Sequence, residues 1–328
     1  MDINRRNFLK KLTAATGAAA LVPAMAQAAA ETTGTATAVH MPYFAPGHKL
    51  LIAHRGASAY APENTLPAYE LAIKQGAELV EQDLQITKDG ILVCNHDGYL
   101  ERVTNVEEVF PDRFKMVKVK GQPTKRWPLH DFTLKELKTL DFGSFLDPKF
   151  KGTQIPTWQE AIDLIKGKAG LCPETKTPET YGKLGLDMDK LVVDMLKKNG
   201  LAKADPKSKT PVFLQSFSDK SLLNLQRKHG IQWPMLWLRG TKTKLTPAVL
   251  AECKKHFAAI GPYKADITAE NVKIAHGMGL KVVGYTWNVE DLEPGFPDVA
   301  HEMSHYLYDI GIDGLFTNNP DKFPRKPL

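Results

Sequence analysis

Leu79-Val80-Glu81-Gln82-Asp83-Leu84 is followed, two residues later, by Thr87-Lys88-Asp89-Gly90. The first stretch is short and apolar-flanked, as expected of a strand buried on both faces in a parallel sheet. The second carries the Asp-Gly signal of a tight hairpin. A strand that turns back at once cannot run parallel to its predecessor. Residues 91–96 are therefore expected as a return arm at the rim of the sheet.

Outward from this point the chain alternates. Candidate strands are Leu50–Ala53, Leu79–Leu84, Ala169–Pro173, Val212–Gln215, Met235–Leu238, Phe257–Ile260, Lys281–Tyr285 and Gly314–Thr317. Between them lie stretches of helical period: Leu66–Gln75, Trp158–Lys166, Leu191–Asn199, Lys220–His229, Pro247–Lys255 and Ala269–Met278. Strands alternating with helices of this length imply βαβ units and a parallel sheet. Eight such strands predict a closed α/β structure, a (β/α)8 TIM-type barrel spanning 49–328. Residues 98–151, with basic clusters and little strand pattern, are expected to form a small inserted subdomain. Its run Lys115, Lys118, Lys120, Lys125 and Arg126 reads as a solvated face rather than a phosphate-binding patch.

Composition narrows the function classes. The 328 residues are 43% hydrophobic and 24% charged, too apolar for a disordered tail and too long to need disulfide staples. The formal net charge is +6, but Arg5, Arg6, Lys10 and Lys11 against Asp2 supply half of it. The remainder is too small to indicate nucleic-acid binding. Residues 1–28 read as a twin-arginine signal peptide: Asn4-Arg5-Arg6-Asn7-Phe8-Leu9-Lys10, a weakly apolar stretch, and small-residue cleavage sites near Ala26 and Ala28. No stretch is long and apolar enough for stable membrane insertion. The expectation is a periplasmic or secreted protein delivered by the twin-arginine export machinery, with a Thr/Ala-rich linker over 29–48. Cys94, Cys172 and Cys253 fit no metal motif. They are expected as buried thiols, with a Cys94–Cys172 bridge as the alternative.

The chemistry concentrates between residues 54 and 97. His54-Arg55-Gly56 directly follows a strand, where such barrels build their active sites. Glu81 and Asp83 are two apart on a strand and so face the same way. Side-by-side buried carboxylates repel unless they share a proton or a cation. His54 and His96 at strand ends beside that pair form a candidate acid–base set. Glu174 and Lys176 have the same two-residue spacing, which places a carboxylate next to an ammonium. They read either as a simple ion pair or as a third metal ligand beside a phosphate-binding lysine.

Together, His54-Arg55-Gly56, Pro62-Glu63-Asn64-Thr65, Glu81-x-Asp83, Thr87-Lys88-Asp89-Gly90, His96-Asp97 and Glu174-x-Lys176 resemble the glycerophosphodiester phosphodiesterase family. So do Gln215-Ser216-Phe217-Ser218, Tyr285-Thr286 and Asp313-Gly314-Leu315-Phe316-Thr317. The likeness runs from about Leu50 to Phe323, and the leader and insertion resemble the secreted, periplasmic branch. The resemblance implies a barrel that hydrolyses a small-molecule glycerophosphodiester to glycerol 3-phosphate and an alcohol. It implies that Glu81, Asp83 and Glu174 hold one divalent cation, that His54 and His96 are acid and base, and that Arg55 and Lys176 contact the phosphate. It places Phe217, Tyr285 and Trp287 at the substrate pocket. All-oxygen ligands suit a hard cation, Ca²⁺ ahead of Mg²⁺. Family members often carry Trp-Thr where this chain has Tyr285-Thr286, a change expected to alter the alcohol pocket. They carry Thr-Asp where it has Thr317-Asn318, which leaves Asn318 without an expected role. Two rival readings remain: a related lyase or phospholipase D-like barrel acting on lysolipids, and an exported binding protein without turnover.

Overall fold

The computed structural model describes residues 42–328. The leader and the first part of the linker therefore lie outside the described residues. In chain order the strands are β1 (Leu50–Ala53), β2 (Leu79–Ile86), β3 (Leu92–Cys94), β4 (Lys115–Val119), β5 (Gln122–Arg126), β6 (Gly170–Thr175), β7 (Leu214–Ser216), β8 (Met235–Leu238), β9 (Ala259–Gly261), β10 (Lys281–Trp287) and β11 (Gly314–Thr317). The helices are α1 (Leu66–Lys74), α2 (Val106–Val109), α3 (Leu134–Leu137), α4 (Trp158–Ile165), α5 (Pro178–Lys183), α6 (Met188–Lys198), α7 (Asp219–Leu223), α8 (Pro247–His256), α9 (Ala269–Gly277) and α10 (Val299–Ser304).

Eight parallel strands close a ring in the order β1, β2, β6, β7, β8, β9, β10, β11, and β11 pairs back to β1. The expected barrel is present, with every strand end within two residues of the sequence reading. Strand alternation divides the apolar residues between two cores. Leu50, Ile52, Leu79, Cys172, Phe213, Leu236, Val283 and Phe316 fill the interior. Leu51, Ala53, Val80, Leu171 and Leu214 face outward to the helices. α4 shows how a helix is fixed there. Thr157 and Glu160 form a reciprocal cap at its start, and Trp158, Ala161, Ile162 and Ile165 form its buried stripe.

The hairpin signal holds. β3 pairs antiparallel with the upper half of β2, Leu84 opposite Cys94 and Ile86 opposite Leu92. Residues beyond it have an apolar centre of their own, built on Leu100, Val106, Trp127, Leu129, Phe132 and Phe142. Within this insertion β4 and β5 make an exposed antiparallel ribbon that the sequence reading missed. With neither face buried, its sequence has no reason to alternate between apolar and polar residues. The lysine run lies on that ribbon, at the surface as expected.

Two other expectations are adjusted, and that of buried thiols holds. The linker does not extend to 48: Tyr43 is buried, and Phe44 packs edge-on against Phe213 at 5.7 Å, closing the barrel floor. The short helices α2, α3, α5 and α10 were not anticipated. Cys94, Cys172 and Cys253 are all buried and free. Cys94 faces the outer core and Cys172 the interior, so the barrel wall separates the two that were considered for a bridge.

Candidate active site

The turn after β1 sets the site. Arg55 and Gly56 are both left-handed, with φ of 58° and 82°. Gly56 is required there: a Cβ would lie 2.6 Å from the Ala68 carbonyl carbon. The turn aims the Arg55 backbone N–H at Glu81 Oε2, 2.6 Å away. It also brings the guanidinium to Asp83 Oδ2 at 3.2 Å and Glu63 at 3.1 Å. Asn64, also left-handed and buried, donates to Asp83 Oδ2 at 2.8 Å and accepts from Tyr69 and the Asp83 backbone N–H.

Inward alternation on β2 and β6 carries Glu81, Asp83 and Glu174 to one place. All three are buried, and they offer carboxylate oxygens within 4.8 Å of one another. Lys176 lies 3.1 Å from Glu174 and 3.4 Å from Asp83. Three buried carboxylates thus face two partly buried cations, Arg55 and Lys176. The imbalance is visible in their ionisation. Burial, then Asp83, pushes Glu81 well above the usual carboxylate range. Burial also raises Glu174 to about 7, although Lys176 opposes it. For Asp83, burial is outweighed by Lys176 and then Arg55, which hold it ionised. An arrangement with one uncompensated carboxylate and only oxygen donors fits a hard divalent cation.

The hairpin returns His96 to the same level. The Asn95 N–H donates to the Asp83 carbonyl, and Gln85 holds the His96 carbonyl at 2.9 Å. The two histidines have different partners. His96 Nδ1 faces Asp97 Oδ1 at 2.7 Å. His54 Nδ1 faces Asn318 Oδ1 at 2.7 Å, and its ring stands edge-on to Phe316. Burial, then Arg55, drives the His54 imidazolium down to about 3, so this ring is neutral at ordinary pH. An amide oxygen at Nδ1 selects the tautomer that leaves Nε2 unprotonated. Asn318, given no role on sequence grounds, therefore orients His54. The resemblance drew attention to Asp at this position and obscured that Asn also offers an acceptor.

Arg102 was also missed. It grips Glu63 with two nitrogens at 2.6 and 3.0 Å and reaches Asp97. A continuous chain of contacts thus runs Arg55, Glu63, Arg102, Asp97, His96. The sequence offered no signal for it, because Arg102 belongs to the insertion and meets Glu63 only in space.

His54, Arg55, Glu81, Asp83, His96, Glu174 and Lys176 all line one cavity of about 200 Å³ at the C-terminal mouth of the barrel, and Phe217 and Tyr285 border it. Trp287 does not. The β10 register shifts between Gly284 and Trp287, and Trp287 is fully buried against Tyr306 in the outer core. A larger, more open hollow of about 480 Å³ lies beside α5, α6 and α7. Its buried carboxylate, Asp189, is already hydrogen-bonded by Ser221 and Asn224.

Comparison with known proteins agrees with this geometry. A sequence model of the Glycerophosphoryl diester phosphodiesterase family matches residues 54–322. A glycerophosphodiester phosphodiesterase of Bacillus subtilis is 36% identical, with 85% of this chain and 86% of that one covered. One from Arabidopsis thaliana is 33% identical over 81% and 82% of the two chains. Among solved structures, an Oleispira antarctica phosphodiesterase in complex with the product sn-glycerol-3-phosphate superposes with a TM-score of 0.65. It is 27% identical and is covered over 94% of its length, against 83% of this chain. A glycerophosphodiester phosphodiesterase from Agrobacterium tumefaciens, 23% identical with a TM-score of 0.61, shares the fold; 84% of this chain and 98% of that one are covered. The fold and mouth define a barrel enzyme of the phosphoric diester hydrolase class. The chain belongs to the glycerophosphoryl diester phosphodiesterase family.

The His54–Asn318 contact yields a prediction. Asn318→Leu removes the acceptor without adding charge and frees the ring to adopt the other tautomer, which would impair it if it takes a proton in catalysis. Turnover is expected to fall by at least about 10-fold, with little change in KM or melting temperature. Unchanged kcat in Asn318→Leu would show that His54 needs no partner.

Proposed function

We propose that this protein hydrolyses glycerophosphodiesters to glycerol 3-phosphate and an alcohol, in a reaction that depends on one divalent cation and on His54 and His96. The observation that carries this reading is the convergence of three buried carboxylates, two cations and two differently partnered histidines in one cavity. Family membership supplies the substrate class.

Glu81, Asp83 and Glu174 would hold the cation, Ca²⁺ in preference to Mg²⁺ because an all-oxygen set without imposed octahedral geometry suits the larger ion. When bound, such an ion neutralises phosphate charge and stabilises the charge that builds up in the transition state. The chain's own residues supply the rest. Arg55 and Lys176 flank the carboxylates and counter the phosphate's negative charge, Arg55 with a planar fork and Lys176 with a point charge. Neutral His54, its Nδ1–H held by Asn318, offers Nε2 to take the proton of the attacking hydroxyl, the substrate's own 2-hydroxyl or water. Of the two rings, His96 has an anion beside it, the arrangement suited to the proton donor that meets the departing alkoxide. Arg102 fixes Asp97 and Glu63, and through them His96 and Arg55.

The twin-arginine pattern in residues 1–28 supports export to the periplasm, a route that accepts folded, metal-loaded protein. Replacing Arg5 and Arg6 with Lys is expected to retain the precursor in the cytoplasm on cell fractionation. Unimpaired export would remove the twin-arginine assignment.

Release of glycerol 3-phosphate from glycerophosphodiesters, measured with and without chelator, tests the reading directly. Activity is expected to vanish on chelation and return with Ca²⁺. Glu174→Gln should abolish the Ca²⁺-induced rise in melting temperature while the metal-free protein stays folded, since the change relieves repulsion among three crowded buried carboxylates. Full activity after exhaustive chelation and dialysis would reject the metal. Phosphorus NMR of the product separates hydrolysis from a lyase that stops at a cyclic phosphate.

A further prediction concerns the phosphate. Arg55→Ala and Lys176→Ala should lower kcat/KM mainly through kcat, because charge is redistributed in the transition state. Arg55→Lys should recover only part of the loss, since the fork is gone. A wild-type Arg55→Lys would show that no two-pronged contact exists. A silent Lys176→Ala would reduce Lys176 to an ion-pair partner of Glu174.

A further inference from the structure

One strongly basic stretch takes no part in the site. Residues Arg113 to Arg126 include six cations and no acidic side chain, and five of the six lie on the β4–β5 hairpin. Lys120 and Gly121, both left-handed at φ of 49° and 84°, form its two-residue turn. A two-stranded ribbon alone is marginal in water, and this one is fixed at its base. The Leu100 N–H donates to the Trp127 carbonyl at 3.0 Å, and the Leu129 N–H to the Gly98 carbonyl at 2.9 Å. Arg126 pairs with Glu101, and Lys115 with Asp131 at 2.6 Å.

Alternation along the strands divides the ribbon into two unlike faces. Lys115 and Arg126, Val117 and Thr124, and Val119 and Gln122 are opposed on one face. Its two cations are the ones paired with carboxylates. Met116 and Lys125, then Lys118 and Pro123, are opposed on the other face, with Lys120 at the tip. Among the described residues Lys118, Lys120 and Lys125 have no carboxylate partner. Lys125 lies instead over the Phe114 ring at 4.4 Å. Met116 stands among these lysines 56% exposed. Guarding open strand edges against further pairing needs only charge; it does not call for an exposed thioether. Nucleic acid would call for arginine forks or exposed aromatic rings, and this face carries neither. Three uncompensated ammonium groups around an apolar side chain complement an extended anionic surface with an apolar layer beneath it.

We propose that the face of Met116, Lys118, Lys120 and Lys125 docks on an anionic phospholipid bilayer. The ammonium groups sit among headgroup phosphates, while Met116 and Pro123 reach the boundary of the acyl region. Lysine suits this place because its methylene stem lies along apolar surface while the charge stays at the headgroups. The docking is peripheral: among the described residues no helix is long and apolar enough to cross a membrane, and the attraction is screened by salt. It is independent of the function proposed above, since no side chain of the ribbon lines the active-site cavity.

The test reads contact at the ribbon itself, apart from the basic leader. Cys94, Cys172 and Cys253 are buried, so Met116→Cys gives full-length protein an accessible thiol for a polarity-sensitive dye. The labelled protein is titrated with vesicles of phosphatidylcholine, alone or with phosphatidylglycerol in equal parts. Emission should shift to the blue on the anionic vesicles only, and revert in high salt. Each lysine near such a surface is worth roughly 5-fold in affinity. Adding Lys118→Gln, Lys120→Asn and Lys125→Gln should therefore weaken the response on the order of 100-fold; Asn tolerates the left-handed turn position. A control with Lys203→Gln, Lys207→Gln and Lys209→Gln removes equal charge from the loop before β7, at the end of the barrel opposite the mouth. It should respond as the parent does, and co-sedimentation of unlabelled protein carrying the same lysine substitutions should follow the same order. A dye that stays in water on the anionic vesicles, an equal response to both vesicle types, or an equal loss in the control would overturn the proposal. So would ribbon-dependent binding to duplex DNA with none to vesicles.

Discussion

Three buried carboxylates beside two partly buried cations at the mouth of one barrel cannot be left as they are. Each of Glu81, Asp83 and Glu174 is almost wholly removed from water, and an unpaired buried charge is among the costliest features a fold can carry. Arg55 and Lys176 compensate Asp83. What is left over raises Glu81 and Glu174 towards protonation. The surrounding structure serves to hold this imbalance in place. The left-handed turn at Arg55 and Gly56 supplies one cation, the residue just past the end of β6 supplies the other, and Asn64 clamps the carboxylate between them. The site is strained electrostatically in the way that a metal ion and a phosphate would relieve together.

The barrel gives this constellation its precision. Glu81 and Asp83 share a face because they are two apart on β2, and Glu174 meets them because β6 pairs with β2 in a register that sets Asp83 opposite Glu174. His96 reaches the same level through the hairpin rather than through the barrel itself. The insertion that follows contributes Arg102, which locks the hairpin end to the β1 turn. A local excursion from the repeating βα pattern thus reaches the same cavity as the barrel's own carboxylates.

Much of this was legible in the sequence, for a physical reason. Period-two spacing is enough to place Glu81 with Asp83 and Glu174 with Lys176, and a buried strand announces itself by composition. Contacts between residues distant in sequence leave no such trace. Asn318 meets His54 across 264 positions, and Arg102 meets Glu63 across 39. Trp287 failed for another reason: simple alternation from Tyr285 would point it inward, but the register shift in β10 turns it to the outer core. The β4–β5 ribbon escaped because a solvent-exposed strand pair need not alternate.

The central claim is that the buried acidic triad is a single-cation site. Isothermal titration of chelator-treated protein with Ca²⁺, for the wild type and for Asp83→Asn, addresses it without reference to catalysis. The account predicts one ion bound per chain in the wild type and affinity lost or greatly weakened in Asp83→Asn. No binding by the wild type, or binding that Asp83→Asn leaves intact, would contradict it.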